Sequence, residues 1–373
     1  MKNNQVVAGV LLAFVLTLTG TASVEFLKMK KPDILYPSSS MTEKSSLAKY
    51  CPSLKGTSGD TPVYIFDSKK PGATILVLGG THPNEVAGFM TAVLLTENLR
   101  IDSGKFIVIP QACGSGFTCT DPLEGLPQFF NINTPTGSRE FRTGSRVSNP
   151  LDQWPDPLVY MHYPSGQSLS GFETRNLNRS YPGRVDGNFS ERVGYAVLEL
   201  IKKEHVDVAF DLHEAAPEIP IINAIISHEK CQDISASAIL ELELQSLTYA
   251  LEVSPKNFHG LSHREWGDSS SVLPFLMETS NPIQGRLRGK TDENLIIGGK
   301  DRFYAQAMKS AKFRITYDEI NGYPLNVRVA RHIAGISAII NGYNEKFPEK
   351  KIIYSNIPSY EDITTGGIGN FIK

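Results

Sequence analysis

A histidine and a glutamate lie three residues apart directly after a strongly apolar run. The run is residues 73–78 (ATILVL), and the segment GGTHPNE that follows it contains His82 and Glu85. Side chains three positions apart on a helical turn share one face, so this imidazole and this carboxylate can reach the same cation. The spacing alone does not establish a metal site, because a glutamate in the first turn of a helix also stabilises the helix dipole.

A second histidine in a similar position offers a third ligand. His213 follows residues 206–212 (VDVAFDL), another apolar run of strand length. The carboxyl ends of strands meet at one edge of an open α/β sheet, so His213 is expected near His82 and Glu85. Asp211 lies on the same side of an extended chain and can accept the second ring N–H of His213. Two imidazoles and a carboxylate suit a catalytic zinc ion, which keeps one position open for water.

Between these two segments the chain places an amide beside a guanidinium. The segment RNLNRSYPGR, residues 175–184, contains Asn178 and Arg179 in sequence, with Arg175 one turn earlier. A guanidinium binds a carboxylate through two parallel hydrogen bonds, and the neighbouring amide adds a further donor. The segment therefore indicates a site for a carboxylate-bearing substrate, although a solvent-exposed arginine loop has the same composition.

The order of these three motifs resembles one known family. The sequence reads G-G-T-H-x-N-E, then N-L-N-R-x-Y-P-G, then D-L-H, which is similar to the succinylglutamate desuccinylase/aspartoacylase family of the zinc carboxypeptidase superfamily. The resemblance extends over about residues 73–278. It implies that His82, Glu85 and His213 bind one Zn²⁺ ion per chain.

The resemblance also implies which residues act on the substrate. Asn178 and Arg179 match the pair that holds the substrate carboxylate in this family. Glu278, in FLMETSNP, matches the catalytic carboxylate at the end of a later strand. Family members often read G-N-E where this chain has Pro83-Asn84-Glu85, which is one departure from the pattern.

A second departure concerns the arginine that polarises the substrate carbonyl in this family. That arginine usually precedes the asparagine–arginine pair by several residues, where this chain has Gly171. Arg175 is the catalytic residue that we expect in its place. The alternatives are three arginines further upstream, namely Arg139, Arg142 and Arg146.

This set of residues predicts a zinc-dependent hydrolase that cleaves an amide bond next to a carboxylate. Glu278 would take a proton from an activated water molecule and pass it to the leaving amine. The resemblance favours deacylation of an N-acyl amino acid. Two alternatives stay open: an exported metallocarboxypeptidase that acts on peptides or cell-wall peptides, and a non-catalytic binding protein on the same scaffold.

The rest of the sequence predicts the elements that bring these residues together. Apolar runs predict strands at residues 63–66, 73–78, 106–110, 206–212, 221–227 and 273–277. Amphipathic or apolar-rich segments predict helices at residues 84–99, 190–203, 233–252 and 325–341. Strands that are apolar on both faces and alternate with helices indicate an α/β fold. We expect a mixed, mostly parallel central sheet flanked by helices, and the resemblance implies a zinc-carboxypeptidase-like arrangement.

The positions of the expected site residues favour one catalytic domain over two. They span residues 82–278, so a boundary between them would divide the site, although 373 residues suffice for two domains. The predicted hydrolase domain is residues 48–349, with a loop-rich insertion at residues 111–175. A linker is predicted at residues 24–47 and a C-terminal strand and tail at residues 350–373.

The N-terminus predicts export. Lys2 precedes an uncharged apolar run at residues 6–20, and small residues follow at 21–23. This pattern is typical of a signal peptide over residues 1–23, which directs a protein to the periplasm or the medium. The alternative is an uncleaved membrane anchor, since the apolar run extended through residue 27 is just long enough to span a bilayer.

Composition excludes several other classes of protein. The 37 basic and 39 acidic residues give a net charge of −2, so the chain as a whole lacks the basic footprint of a nucleic-acid-binding protein. Hydrophobic residues make up 40% of the chain, which excludes wholesale disorder. Four cysteines are too few for a disulfide scaffold. Export would permit Cys113 to pair with Cys119 or Cys51 with Cys231, and four free thiols are the alternative. The oligomeric state is not indicated.

Overall fold

The apolar runs form strands, most of them in a single central sheet. The computed structural model describes residues 2–121, 124–219, 221–310, 312 and 315–373. The strands are β1 (Glu43–Ser46), β2 (Pro62–Asp67), β3 (Thr74–Leu78), β4 (Arg100–Ser103), β5 (Lys105–Ile109), β6 (Phe129–Thr134), β7 (Gly137–Arg142), β8 (Val159–Met161), β9 (Ser168–Ser170), β10 (Val208–Ala215), β11 (Ala224–Ser227), β12 (Ala250–Val253), β13 (Leu273–Ser280) and β14 (Ile353–Ser355). Eight of them form one sheet in the order β1-β2-β5-β3-β10-β13-β11-β12. Four of its seven pairings are parallel, so the predicted mixed, mostly parallel sheet is confirmed.

Helices cover both faces of this sheet. The helices of the chain are α1 (Lys2–Lys28), α2 (Val86–Asn98), α3 (Phe189–Lys203), α4 (Gln232–Leu244), α5 (Ser262–Ser269), α6 (Glu293–Gly298), α7 (Arg302–Met308), α8 (Leu325–Lys346) and α9 (Tyr360–Gly366). In β3, Ile75 and Val77 belong to the same core as residues of α2 and α8, whereas Leu76 and Leu78 belong to the core with α3. Successive side chains of a strand alternate between faces, which explains why the central strands are apolar at every position.

The chain divides into two compact units, residues 1–34 and residues 35–373. The first unit contains α1, which covers residues 2–23 of the predicted signal peptide or anchor and continues to Lys28. Its segment Asn3–Lys28 is long and apolar enough to cross a membrane. Length and composition do not distinguish an anchor from a signal peptide.

Three elements near the expected site have bounds that differ from the prediction. Strand β10 continues three residues beyond the predicted strand, so His213 lies inside it. Strand β13 likewise extends past the predicted end and includes Glu278. The helix predicted at residues 233–252 is wrong beyond Leu244, because the chain turns at Ser246 with φ of +61° and then forms β12.

The segments around the predicted domain contain regular structure. Residues 43–46, within the predicted linker, form β1 and pair with β2 at the sheet edge. The insertion at residues 111–175 contains two antiparallel hairpins, β6-β7 and β8-β9. The C-terminal residues 350–373 contain β14 and α9.

All four cysteines are free thiols in the structure, including Cys113 and Cys119.

Candidate metal centre

Two neighbouring strands carry three polar residues of the site, Asp211, His213 and Glu278. Strands β10 and β13 are parallel, and their register places His213 beside Glu278. Asp211 and His213 share the face of Ala209, which packs in the core with α3. Glu214 points to the opposite face because side chains alternate along a strand. The carboxyl ends of these strands therefore present an imidazole and two carboxylates on one face of the sheet.

The turn after β3 directs two further side chains toward β10. Gly80 has φ of +65°, and a Cβ there would lie 2.8 Å from a phenylalanine ring, so glycine is required. The N–H of Glu85 then donates to the carbonyl of His82 at 2.9 Å, and α2 begins at the next residue. His82 and Glu85 thus lie in a turn before α2 rather than in the first turn of this helix. The Thr81 hydroxyl donates to Asp211 at 2.6 Å and ties this turn to β10.

His82, Glu85 and His213 converge in a group that we call the His-Glu-His cluster. The two Nδ1 atoms are 3.2 Å apart. Glu85 Oε1 lies 2.8 Å from His82 Nδ1, and Glu85 Oε2 lies 2.8 Å from His213 Nδ1. Each residue is at most 2% exposed. The structure therefore brings the three predicted ligands together, with their ligand atoms within 4.8 Å of one another.

Contacts behind the cluster hold both imidazoles in an orientation that suits metal binding. His82 Nε2 lies 2.9 Å from Asn176 Oδ1, and His213 Nε2 lies 2.9 Å from Asp211 Oδ2. Because oxygen atoms face both Nε2 atoms, each ring can keep its proton there and turn the Nδ1 lone pair toward a cation beside Glu85 when one is bound. Two lone pairs and a carboxylate that converge in a buried space form a donor set that a single cation satisfies. The residues therefore fit a bound metal ion.

Burial and neighbouring charges shift the pKa values of His82, Glu85 and Glu278 in different directions. Burial lowers the pKa of His82 to about 4, so this imidazole is neutral at pH 7. Burial alone would raise the pKa of Glu85, but His82 and His213 outweigh it and hold that pKa well below its usual range. Burial raises the pKa of Glu278 to about 8, and the nearby Glu85 adds to the effect. Glu278 is therefore a carboxyl group whose pKa suits proton transfer near neutral pH.

The predicted carboxylate-binding pair lies on the loop that faces this cluster. The Asn178 amide oxygen accepts the N–H of Ser262 at the start of α5, at 2.8 Å. The Arg179 guanidinium lies 4.9 Å from the centre of the Phe258 ring. Gly260 has φ of +89°, and a Cβ there would lie 2.5 Å from the Arg179 carbonyl oxygen. This glycine allows the two loops to approach closely enough to orient both side chains.

One cavity of about 990 Å³ connects all of these groups. Its lining includes the His-Glu-His cluster, Glu278, Asn178 and Arg179. Glu278 Oε2 is buried and has no hydrogen-bond partner among the residues that the structure describes. A buried carboxylate oxygen without a partner is uncommon in folded proteins and marks a position where a ligand group or water can bind.

The structure places Arg175 outside this cavity. Its guanidinium forms two hydrogen bonds with Asp156, at 2.7 and 2.9 Å, and a third with the Ser148 carbonyl at 2.8 Å. It is buried beneath the loop and does not line the cavity. The predicted catalytic role for Arg175 is therefore not supported, because its donors are already used within the fold.

Arg146 is the arginine that faces the His-Glu-His cluster. Its Nη1 donates to Glu85 Oε1 at 2.8 Å, and a third of its side chain is exposed to the cavity. The other two alternatives do not line the cavity, since Arg139 pairs with Glu97 and Arg142 contacts Gln111. Sequence spacing could not identify Arg146, because it lies 32 residues before Asn178 in the irregular insertion.

Asn176 and Gln284 contact the cluster, and neither was identified as a site residue from the sequence. Asn176 accepts from His82 and from the backbone N–H of Asn178, although it lies inside the recognised motif. Gln284 donates to Glu85 Oε1 at 2.9 Å from the loop after β13. His263 is 3% exposed and lines the cavity, and both of its ring nitrogens lack partners within the described part of the chain.

Glu214 supports the cluster from the opposite face of β10. Its carboxylate forms a buried ion pair with Arg328 of α8 at 2.6 Å. The same carboxylate accepts the N–H of Ala87 in α2 at 2.9 Å, and its backbone N–H donates to Glu85 at 3.0 Å. Glu214 therefore joins two helices and the central sheet directly behind the site, as a structural carboxylate.

Comparisons with known proteins return deacylases and carboxypeptidases. No family model matches the chain. N-alpha-acetyl-L-2,4-diaminobutyric acid deacetylase of Halomonas elongata is 26% identical over 160 residues, which are 42% of this chain. The match covers 33% of that relative, so the chain spans about a third of the length of the curated relative it matches.

Solved structures also match parts of this chain, with TM-scores below 0.5. An ectoine utilization protein of Ruegeria pomeroyi matches with a TM-score of 0.37 and 18% identity, over 59% of this chain and 54% of that one. A succinylglutamate desuccinylase of Silicibacter matches with a TM-score of 0.40 and 12% identity, over 80% and 63%. A metallo-carboxypeptidase of Burkholderia cenocepacia matches with a TM-score of 0.45 and 12% identity, over 87% and 69%. The sequence match to a deacetylase agrees with the resemblance that the three motifs carry.

Proposed function

We propose that this chain is a zinc-dependent hydrolase that cleaves an amide bond next to a carboxylate, and that its substrate is an N-acyl amino acid. One observation carries the proposal: the His-Glu-His cluster, Glu278 and the Asn178–Arg179 pair all line one cavity. The relative from Halomonas elongata is named for removing an acetyl group from an amino acid, which agrees with this class of substrate.

The His-Glu-His cluster would hold the zinc ion. His82 and His213 supply Nδ1 atoms and Glu85 supplies a carboxylate, which is a ligand set of catalytic zinc sites that leaves a position open. A bound zinc ion supplies a Lewis acid that activates water near neutral pH. The contacts of Asn176 and Asp211 keep both imidazoles oriented toward that ion.

Glu278 is the residue that would move the proton. It stands beside His213 in the register of β10 and β13, and its buried Oε2 is unpaired among the described residues. A carboxylate in this position can accept the proton of the attacking water and deliver it to the leaving amine.

Two arginines of the cavity would bind two different groups of the substrate, its carboxylate and the carbonyl oxygen of the scissile amide. Arg179 and Asn178 would hold the carboxylate of the substrate through charge-assisted hydrogen bonds. We assign the carbonyl-polarising role to Arg146, since it faces Glu85 and Arg175 does not reach the cavity. Such a donor stabilises the negative charge that develops on the carbonyl oxygen during attack.

Metal analysis and a substrate panel test this proposal. The purified protein should contain about one zinc ion per chain, and His213→Asn should lose it, whereas His205→Asn, at an exposed position outside the cavity, should retain it. The panel contains N-acetyl and N-succinyl amino acids and dipeptides with a free carboxylate. Hydrolysis of the acyl amino acids supports the proposal. Hydrolysis of peptides only would select the carboxypeptidase alternative, and bound zinc without any turnover would favour a binding protein.

We also propose that the protein is exported. The support is α1, whose apolar segment is long enough to enter a membrane. Fractionation of cells that express the full chain should place the hydrolase domain outside the cytoplasm. Edman sequencing of the product then distinguishes a cleaved signal peptide from a retained anchor, and recovery in the cytosol would contradict export.

A further inference from the structure

One end of the cavity is apolar and lies next to the carboxylate-binding pair. We call this end the apolar recess and define it by the side chains that line it: Ile226, Val253, Phe258, Leu261 and Leu276. The floor comes from two neighbouring strands, because Leu276 of β13 stands opposite Ile226 of β11 in the antiparallel register. The recess is therefore built on the sheet itself rather than on a mobile loop.

The floor of the recess is separate from the main cores of the protein. Ala224, Ile226 and Leu276 form their own small apolar cluster, distinct from the two large cores on the faces of the sheet. Ile226 and Leu276 both line the cavity, and Val253 at its edge is 54% exposed. Ile226 and Leu276 are 7% and 4% exposed, and apolar side chains that line a binding cavity are suited to an apolar part of the ligand.

The position of the recess identifies which part of the substrate it meets. Leu276 precedes Glu278 by two residues and so shares its face of β13. Phe258 lies under the Arg179 guanidinium, and Leu261 directly precedes Ser262, whose N–H binds Asn178. The recess therefore adjoins both the proposed base and the carboxylate-binding pair. A substrate held by its carboxylate at Asn178 and Arg179 would place the side chain of its carboxylate-bearing residue beside this recess.

The charges around the recess do not suit an acidic side chain. The described cations that line the cavity are Arg146, Arg179 and Arg286. Arg146 contacts Glu85, Arg179 is committed to the substrate carboxylate, and the backbone of Arg286 lies against Glu218 on another wall. His263 is buried, and burial lowers its pKa to about 3, so it adds no positive charge at neutral pH.

One charged group beside the floor of the recess is negative. Glu252 of β12 stands beside Ile226 in register and lines the cavity. A glutamate or aspartate side chain in the recess would face aliphatic groups and this carboxylate, while Arg179 would already be paired with the substrate's own carboxylate. Burying an unpaired charge is strongly unfavourable.

We infer that the residue released by this enzyme has an apolar side chain, such as that of leucine or phenylalanine, and that Ile226 and Leu276 select it. The inference rests on the proposed function, and it applies equally to an N-acyl amino acid and to a peptide. It differs from the glutamate that the name succinylglutamate desuccinylase implies for the resembled family.

A panel that varies only the residue with the free carboxylate tests this inference. The substrates are the N-acetyl derivatives of leucine, phenylalanine, alanine, lysine, glutamate and aspartate, together with the matching alanyl dipeptides. We expect kcat/KM for leucine or phenylalanine to exceed that for glutamate by about tenfold or more. A glutamate or aspartate derivative that is the best substrate would overturn the inference. Preference for lysine would also overturn it, in favour of pairing with Glu252. Absence of turnover on the whole panel would instead refute the proposed function.

Variants of the floor show whether these residues cause the selectivity. Ile226→Ala and Leu276→Ala should each lower kcat/KM for the leucine derivative by about tenfold relative to the alanine derivative. The control Leu244→Ala changes an exposed residue of α4 outside the cavity and should leave this ratio unchanged. The ratio of two substrates on one variant is independent of the folded fraction. An unchanged ratio in both floor variants would contradict the assignment of the recess.

Discussion

Replacing Arg146 and Arg175 one at a time tests which of them acts in catalysis and which stabilises the fold. Arg146 pairs with Glu85 of the His-Glu-His cluster, and Arg175, three residues before Asn178, pairs with Asp156. Arg146 faces the cavity with 34% of its side chain exposed, whereas the Arg175 side chain is 8% exposed and fully bonded. We predict that Arg146→Met lowers turnover with little change in stability, and that Arg175→Met does the reverse.

The expected magnitudes follow from these contacts. Arg146→Met removes one donor from the developing oxyanion, and such a loss typically lowers kcat by ~10²- to 10³-fold. Its effect on the free energy of unfolding should stay at about 1 kcal/mol, because Arg146 is a third exposed and buried Glu85 keeps its contacts with His82, His213 and Gln284. Arg175→Met leaves Asp156 and the Ser148 carbonyl without their partner, and breaking a buried pair costs ~3–5 kcal/mol. Because Asp156 is 20% exposed, we expect a loss near ~3 kcal/mol.

Steady-state kinetics and urea unfolding measure both effects on the same preparations. The kinetics use the best substrate of the panel at saturating zinc, and the unfolding uses metal-free protein so that zinc binding does not mask the difference. Arg146→Lys keeps the charge without the planar fork and should recover only part of kcat. The reasoning is refuted if Arg146→Met keeps kcat within threefold, or if Arg175→Met loses kcat while its free energy of unfolding is unchanged.

Three further predictions concern carboxylates in different environments. Glu278→Gln should lower kcat by ~10²- to 10⁴-fold at unchanged zinc content, and near-normal turnover would place the base elsewhere. Arg328→Met should reduce the free energy of unfolding in urea by ~3–5 kcal/mol because buried Glu214 loses its partner, and adding Glu214→Gln should recover part of it; a loss below about 1 kcal/mol would contradict this. Burial would raise the pKa of Glu204, but hydrogen bonds outweigh it and the pKa is lowered. Glu204→Gln should therefore lower the free energy of unfolding by about 1 kcal/mol at pH 7, and by progressively less as the pH falls below about 4.5. Glu199→Gln in α3 is the control, and a difference in unfolding free energy between the two variants that does not change with pH would refute this prediction.

The central strands could be predicted from the sequence because burial on both faces makes them apolar throughout. The predicted strand at residues 73–78 matches β3 within one residue, since its apolar side chains all pack in one core or the other. The ends of β10 and β13 were not predicted, because His213 and Glu278 interrupt the apolar pattern while the backbone continues to pair. Polar residues at the ends of buried strands therefore indicated the site but concealed the true length of these strands.

The helix predicted at residues 233–252 shows a second limit of the sequence. Its apolar and charged residues continue past Leu244 in a pattern that still suits a helix, and no glycine or proline marks an end. The turn occurs at Ser246, which adopts a positive φ that serine rarely takes. Pairing of β12 with β11 at the sheet edge accompanies this turn, and a pairing between distant segments leaves no local signal.

The sequence by itself determined the donor types of the site and the order in which they follow the strands. His82, Glu85 and His213 could be proposed as ligands because each follows or ends an apolar strand, and strands of one sheet end at a common edge. Only the tertiary structure decided which arginine faces the cluster and which apolar side chains surround the substrate. Those choices depend on contacts between segments far apart in the chain, such as Arg146 with Glu85 and Ile226 with Leu276, which spacing along the sequence does not encode.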